Sequence, residues 1–193
     1  MGGDMKKIVV FVMSVLILML ACKSDQQRKG KGSATNTSGK SEGVTMTFQI
    51  TSKSFKNGEA IPQKYTCEGT DVSPELSWTE PPEGTVELVL ICDDPDAPMG
   101  NWNHWIVYGL LPGTRGIFEG AEKLPGIQGT NDFGKTGYGG PCPPPGKPHR
   151  YYFKLYALDT KLGLSPGVRR EDILKAMEGH ILAEAQIMGT YSR

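Results

Sequence analysis

Side chains that could bind an anion or move a proton are concentrated in three short stretches of this sequence. The stretches cover residues 94–98, 102–105 and 140–151, and they contain two of the three histidines of the chain. These two, His104 and His149, each stand at the start of an apolar run of strand length, so a ring nitrogen could face a pocket while the strand holds the backbone. Imidazole changes its charge near neutral pH. The pattern therefore predicts a small binding site at the ends of two strands.

Acidic side chains accompany these histidines. Asp94 and Asp96 lie on a turn that Pro95 and Pro98 stiffen. A carboxylate beside an imidazole fixes one tautomer and favours the protonated ring, which suits a phosphate or carboxylate ligand. Backbone N–H groups near Gly140 would complete an anion cradle. A structural Asp turn with two hydrogen-bonded histidines explains the same residues equally well, and the residue types do not decide between these two interpretations.

The elements that would position these residues are mostly strands. Residues 44–51 alternate between apolar and polar side chains, which predicts a half-buried strand. Apolar runs bounded by turn-forming residues predict core strands at residues 87–92, 104–110 and 151–158. Residues 111–148 have no clear period, and a loop of this length is typical of a functional or a mobile segment.

The end of the chain predicts a helix. Spacings of three and four separate its apolar residues, which are Ile173, Leu174, Met177, Ile181, Leu182, Ala185 and Met188. Glu171 and Asp172 suit the N-terminus of a helix, and Gly189 suits a C-terminal cap. His180 would lie in the middle of this helix and serve packing. Strands followed by a helix predict a mainly β domain, an antiparallel β-sandwich with peripheral helices and a C-terminal helix.

Residues 1–22 predict a lipoprotein signal peptide. Lys6 and Lys7 precede an uncharged apolar run at residues 8–21, which is shorter than the ~20 residues that span a bilayer. The alternative, a short buried helix, lacks the polar face that such a helix would turn to solvent. Met-Leu-Ala before Cys22 resembles a bacterial lipobox, which predicts lipidation of Cys22; cleavage without lipidation is the alternative.

Two further segments complete the predicted organisation of the chain. Residues 23–43 are polar and rich in Gly, Ser and Lys, which predicts a flexible tether. Residues 44–193 then form one folded domain. The chain has 21 Lys+Arg and 21 Asp+Glu, so its charge gives no reason to expect a nucleic-acid partner.

The cysteines other than Cys22 predict one disulfide. Export to an oxidising compartment permits a disulfide, and Cys67 and Cys142 both lie in predicted loops, so we expect these two to pair. Cys92 lies inside an apolar strand, which predicts a buried free thiol. A metal site is the alternative, but no Cys-x-x-Cys or His-x-x-x-His spacing supports it.

Several separated motifs resemble the phosphatidylethanolamine-binding protein family, which includes the Raf kinase inhibitor proteins and their bacterial relatives. Asp-Pro-Asp-Ala-Pro at residues 94–98, followed by His104, is similar to one family signature, and Gly140-Pro141 leading to His149-Arg150-Tyr151 is similar to the other. Further motifs similar to the bacterial branch lie at residues 65–69, 72–74, 76–78 and 179–183. The resemblance extends over roughly residues 47–191.

This resemblance implies an antiparallel β-sandwich with a small anion pocket at one end. Six residues would line the pocket: Asp94, His104, Gly140, Pro141, His149 and Tyr151. Asp96 and Arg150 would brace the surrounding loops, and Trp102 would form an apolar wall. The implied ligand is a small anion such as phosphate or phosphoethanolamine, and no cofactor or metal is implied.

Three functions fit these observations. The first is a non-catalytic binding protein of the bacterial cell envelope, anchored by lipidated Cys22 at the periplasmic face of the outer membrane. The second, suggested by the wider family, is an inhibitor of a kinase or protease that meets an unidentified protein partner through the pocket rim. The third is a hydrolase that uses Asp94, His104 and His149. Against an enzyme stand the lack of a Gly-x-Ser-x-Gly motif and the generally non-catalytic character of the family.

Overall fold

The computed structural model describes residues 47–193, so the predicted signal peptide, the lipidation of Cys22 and the tether lie outside the described residues. In chain order the strands are β1 (Ile50–Thr51), β2 (Leu76–Trp78), β3 (Glu87–Asp94), β4 (Trp102–Leu110), β5 (Gly116–Ile117), β6 (Ile127–Gln128), β7 (His149–Leu158) and β8 (Ile181–Tyr191). A 3-10 helix covers Gln63–Tyr65, and the α-helix α1 covers Arg170–Met177.

These strands form two sheets in which every pairing is antiparallel. The smaller sheet has the order β1-β2-β5, and the larger has the order β6-β4-β3-β7-β8. The predicted core strands all lie within β3, β4 and β7. The strand predicted at residues 44–51 is shorter than expected, because only Ile50–Thr51 pairs with a neighbour among the residues described.

The main core lies between the two sheets. Trp78 of β2 belongs to the same buried cluster as Leu88 and Leu90 of β3. On the opposite face of the larger sheet, Ile173 of α1 packs with Val89 and other residues of β3 and β4. Strand β3 is therefore buried on both faces, which explains why its sequence is a continuous apolar run. The mainly β, antiparallel sandwich is confirmed.

The predicted C-terminal helix is wrong beyond its first part. Helix α1 ends at Met177, Gly179 adopts a φ of 76°, and the chain then enters β8. Along β8, Ala185 and Ile187 are buried while Gln186 between them is exposed, which is the period of a strand. Because β8 pairs with β7 along its whole length, the ladder overrides the helical spacing of the apolar residues.

His180 does not lie in a helix. It occupies the turn between α1 and β8, with its side chain 46% exposed, and its Nδ1 lies 2.8 Å from Oδ1 of Asp159. The predicted packing role is therefore wrong, because the turn places the imidazole at the surface.

Candidate functional site

A β-bulge in β4 directs His104 toward the interior of the sandwich. Cys92 pairs with Trp105, but the next residue of β3, Asp93, pairs with Asn103, so His104 is the extra residue of the ladder. A bulge interrupts strict alternation and can therefore re-aim a side chain. His104 lines the same cavity as Trp102. The next residue, Trp105, belongs to the main core, so the bulge lets two consecutive side chains of β4 face the inside of the sandwich.

This cavity has a volume of about 320 Å³ and lies where β3 ends and where β4 and β7 begin. Five of the residues predicted for the site line it: Asp94, Trp102, His104, His149 and Tyr151. They come together because the antiparallel order β4-β3-β7 places the end of the central strand beside the starts of both neighbours.

Sequence reasoning missed most of the apolar wall. Phe133, Pro143 and Pro144 line the cavity, as does Met99, whose side chain is 85% exposed at the rim. Phe133 comes from the long segment without a clear period, where no sequence signal marked it. Its ring packs edge-on against His104, with the ring centroids 5.3 Å apart.

Gly140 and Pro141 do not line the cavity, although Cys142, the next residue of their loop, does. The Gly140 N–H donates to Oδ1 of Asp71 at 2.7 Å, so it is not free for an anion, and the predicted N–H cradle at this residue is wrong. A Cβ atom at Gly140 would stand 2.3 Å from the carbonyl oxygen of Tyr65, so glycine is required by close approach. The Pro141 carbonyl accepts from the N–H of Cys67 at 3.1 Å.

Asp94 joins the two sides of the cavity. Its Oδ2 accepts from Nδ1 of His149 at 2.7 Å, and its Oδ1 accepts from the N–H of Asp96 at 2.8 Å, which closes the turn. The Asp96 carboxylate in turn accepts from the guanidinium of Arg150 at 2.7 and 2.8 Å. These hydrogen bonds lower the pKa of Asp96 to about 2. Asp96 and Arg150 therefore brace the loop outside the cavity.

His104 has a defined tautomer. Its Nδ1 lies 2.6 Å from the carbonyl oxygen of Gly139, and a carbonyl only accepts, so Nδ1 carries the hydrogen. The residue is 3% exposed, and burial lowers the pKa of His104 below its ordinary value. The expectation of a protonated imidazole is therefore wrong for His104, because desolvation outweighs the nearby carboxylates.

Two polar groups on the cavity wall are buried without a hydrogen-bond partner among residues 47–193. They are the phenolic OH of Tyr151 and Nε1 of Trp102. Burial raises the pKa of Tyr151 well above its ordinary value of 10.0, and the Asp94 carboxylate adds to the rise by its charge and by attracting the phenolic hydrogen, so the phenol keeps its proton. The two groups do not reach the geometry of a full hydrogen bond, which leaves the hydroxyl free to donate to a ligand. Indole Nε1 can only donate. An unpaired buried donor costs about 1–3 kcal/mol, so these groups favour a ligand that brings acceptors.

A disulfide joins Cys67 and Cys142 with a Cα–Cα distance of 5.4 Å, and Cys142 lines the cavity. Cys92 is a buried free cysteine, and burial raises the pKa of its thiol well above the ordinary value. Such a thiol is a poor nucleophile.

A second polar cluster lies on the other face of the larger sheet. Asp93 is 1% exposed, and its carboxylate lies 3.1 Å from Nζ of Lys154 and 3.4 Å from the guanidinium of Arg170. The Asn101 amide donates to the same carboxylate at 3.0 Å. The cluster ties α1 to β3 and is separate from the cavity.

Within the described part of the chain, no group of three or more His, Cys, Asp or Glu side chains is arranged to hold a metal ion. No helix of residues 47–193 is both long and apolar enough to cross a membrane.

The fold and the cavity define a class of protein: an antiparallel β-sandwich with a cavity at one end of its central strands. Residues 51–192 match the phosphatidylethanolamine-binding protein family, and the chain belongs to this family. A UPF0098 protein of Aquifex aeolicus is 52% identical over 152 residues, which cover 76% of this chain and 89% of the relative. A UPF0098 protein of Pyrococcus horikoshii is 40% identical over 198 residues, which cover 98% of this chain and 91% of the relative.

Solved structures agree with the fold. A phosphatidylethanolamine-binding protein homologue of Chlamydia trachomatis matches with a TM-score of 0.72 and 47% identity, over 76% of this chain and 97% of the other. E. coli YbcL, a member of the same family, matches with a TM-score of 0.71 and 34% identity, over 76% and 98% of the two chains.

Proposed function

We propose that this protein is a non-catalytic binding protein whose pocket takes a small phosphate-containing anion, either free phosphate or a phosphorylated headgroup such as phosphoethanolamine. One observation carries the proposal: Tyr151 and Trp102 both line the cavity, and each carries a buried donor, the Tyr151 hydroxyl and Trp102 Nε1, that lacks a hydrogen-bond partner among the described residues. A buried donor of this kind is satisfied by an acceptor that a ligand supplies. Phosphate oxygens are strong acceptors.

The Asp94–His149 pair adds a second polar side to the cavity. The carboxylate accepts from Nδ1 of His149 at 2.7 Å, which holds the ring in one orientation and leaves Nε2 directed away from Asp94. His149 lines the cavity, so a ligand there has an imidazole beside the donors of Tyr151 and Trp102. An imidazole Nε2 accepts when the ring is neutral and donates when the ring is doubly protonated, so His149 can hydrogen-bond either to a P–OH group or to a phosphate oxygen.

The apolar wall adds selectivity for size and for a carbon-bearing substituent. Phe133, Pro143 and Pro144 enclose the cavity, and exposed Met99 stands at its rim. Apolar walls exclude water and strengthen the hydrogen bonds made inside. A volume of about 320 Å³ fits a small ligand.

The test is calorimetric titration of phosphate and of phosphoethanolamine into wild type, Tyr151→Phe and Tyr152→Phe. Loss of one hydrogen bond to a charged acceptor costs about 1.5–3 kcal/mol, so we expect Tyr151→Phe to weaken binding roughly 10- to 150-fold. Tyr152 follows Tyr151 on β7 but does not line the cavity, so Tyr152→Phe is the matched control and should bind as wild type. Unchanged affinity in Tyr151→Phe, or no binding by wild type, would contradict the proposal.

Binding without turnover is part of the proposal. Members of this family are mostly binding proteins, and the names of the relatives carry no enzymatic activity. A direct check is to incubate the protein with phosphoesters and measure released phosphate. Release that disappears in His149→Ala would overturn the proposal and favour the hydrolase instead.

The envelope location is proposed separately, from the signal peptide at residues 1–22. Cys22 would carry the lipid anchor, and residues 23–43 would hold the domain away from the periplasmic face of the outer membrane. Labelling with a radioactive fatty acid should mark wild type and not Cys22→Ser. Equal labelling of the two chains would rule out this anchor. Recovery of a stable partner from envelope extract would favour the inhibitor function.

A further inference from the structure

The cavity contains an acceptor as well as donors, and that acceptor is Nε2 of His104. Nδ1 carries the hydrogen because it donates to the Gly139 carbonyl at 2.6 Å. The Nδ1 contact is the hydrogen bond that the ring makes within residues 47–193. Burial lowers the pKa of His104 and so favours the neutral ring, against the smaller opposing effects of the Gly139 and Gly140 backbone and the nearby carboxylates. A neutral ring with its hydrogen on Nδ1 presents a lone pair at Nε2.

The surrounding structure prevents this ring from turning over. The Gly139 N–H donates back to the His104 carbonyl at 3.0 Å, so two hydrogen bonds join the same pair of residues. The rings of Phe133 and Tyr151 pack edge-on against the imidazole, at centroid distances of 5.3 and 5.2 Å. A flipped ring would leave the Gly139 carbonyl without its donor. Nε2 is therefore a fixed acceptor.

A second acceptor faces the same cavity. The Asp94 carboxylate lines it, and each of its oxygens has one protein donor and a further lone pair. An oxyanion in the cavity thus meets donors from Tyr151 and Trp102 and acceptors from Asp94 and His104. An oxyanion without a proton satisfies the donors but leaves the acceptors facing its own lone pairs.

We infer that the pocket selects oxyanions that carry a proton, hydrogen phosphate or the monoanion of a phosphate monoester, over fully ionised ones such as sulfate. This inference rests on the proposed function and specifies the protonation state of its ligand. The P–OH group donates to Nε2 of His104 or to Asp94, while the other phosphate oxygens accept from the donors. Sites built around a ligand hydrogen bond reject analogues that lack the group, so we expect at least about 10-fold weaker binding of sulfate.

The test compares orthophosphate, sulfate and methyl phosphate by calorimetry between pH 5 and pH 8 at constant ionic strength. A monoester loses its last proton near pH 6. We expect methyl phosphate affinity to fall above that pH, approaching about 10-fold per pH unit. Orthophosphate keeps one P–OH after its second ionisation, so its affinity should fall less over the same range.

The protein groups around the cavity could also titrate, and sulfate measures their effect. Asp94 lies on β3, His149 and Tyr151 lie on β7, and Asp132 lies in the loop before Phe133, with its Oδ2 2.7 Å from the N–H of Asn103. Sulfate keeps the same charge from pH 5 to pH 8, so its pH dependence reports these groups alone. A steeper fall for methyl phosphate than for sulfate supports the inference, whereas parallel curves overturn it.

A variant tests the acceptor itself. In His104→Gln an amide that can donate replaces the lone pair of Nε2, so the ratio of phosphate to sulfate affinity should shrink at least several-fold. Thermal melting checks that the variant folds, and the wild-type comparison decides the question if it does not. Equal wild-type affinities for sulfate and phosphate would refute proton selection but leave the anion pocket intact. No binding of either anion would instead refute the proposed function.

Discussion

The disulfide between Cys67 and Cys142 allows a quantitative prediction about stability. The two cysteines are 75 residues apart in sequence. A cross-link over this distance removes about 15 cal/mol/K of entropy from the unfolded chain, or about 4.5 kcal/mol at 25 °C. We therefore expect the double variant Cys67→Ser/Cys142→Ser to lose about that amount of unfolding free energy.

The folded state should survive this change because other contacts join the same loops. The Cys67 N–H donates to the Pro141 carbonyl at 3.1 Å, and the Gly140 N–H donates to Asp71 at 2.7 Å. Small domains have total stabilities of about 5–15 kcal/mol, so the double variant should fold at 25 °C. A domain of this size shifts its melting temperature by about 2–4 °C per kcal/mol, which predicts a fall of roughly 9–18 °C.

The assay is urea unfolding followed by tryptophan fluorescence, with wild type and double variant measured in parallel. Mass spectrometry after thiol alkylation checks that wild type contains the bridge, and Cys92 remains as a free cysteine in both proteins. A loss of less than about 1 kcal/mol, with the bridge intact in wild type, would refute the chain-entropy reasoning.

Three further perturbations test other parts of the structure. Gly140→Ala should destabilise by about 1–3 kcal/mol or more, because its Cβ would stand 2.3 Å from the Tyr65 carbonyl oxygen. Asp93→Ala should cost about 3 kcal/mol, since it leaves two cations facing an apolar side chain. The pKa of Asp96 falls from 3.8 to about 2 on pairing with Arg150, so its stabilisation is present above about pH 4 and is lost as the pH falls through 2. Urea unfolding measures the first two, and a series of melts from pH 5 to pH 2 measures the third.

Each of these has a result that would contradict it. Wild-type stability in Gly140→Ala would mean that the backbone can relax around the added methyl group. A change below about 1 kcal/mol in Asp93→Ala would mean that the ion cluster is solvated like an exposed pair. If Asp96→Asn shows the same pH dependence as wild type between pH 4 and pH 2, the acid sensitivity comes from other carboxylates.

The central strands could be predicted because their burial leaves a strong local signal. β3 is covered on both faces, so its sequence is continuously apolar, and turn-forming residues mark its end. The C-terminal segment carries a weaker signal, since the apolar residues between 181 and 188 fit both the period of two of a strand and the spacing of three and four of a helix. Only the long-range ladder with β7 decides between them, and a single sequence does not show that pairing.

The site could be predicted at the level of residue types but not of protonation. Asp94, His104, His149 and Tyr151 come together as expected. The neutral ring of His104 depends on a one-residue bulge and on the Gly139 carbonyl, neither of which leaves a signal in side-chain types. These long-range details lower the pKa of His104, whereas the residue pattern predicted that the nearby carboxylates would favour its protonated form.

The most direct test of the proposed anion pocket uses the three histidines as reporters in one NMR titration. His104 and His149 line the cavity, whereas His180 is exposed in the turn that follows α1 and hydrogen-bonds Asp159. Addition of phosphate at constant pH and ionic strength should shift the ring signals of His104 and His149 in a saturable way and leave His180 unchanged. If no ring signal shifts, or if all three shift together without saturation, phosphate does not bind in this cavity.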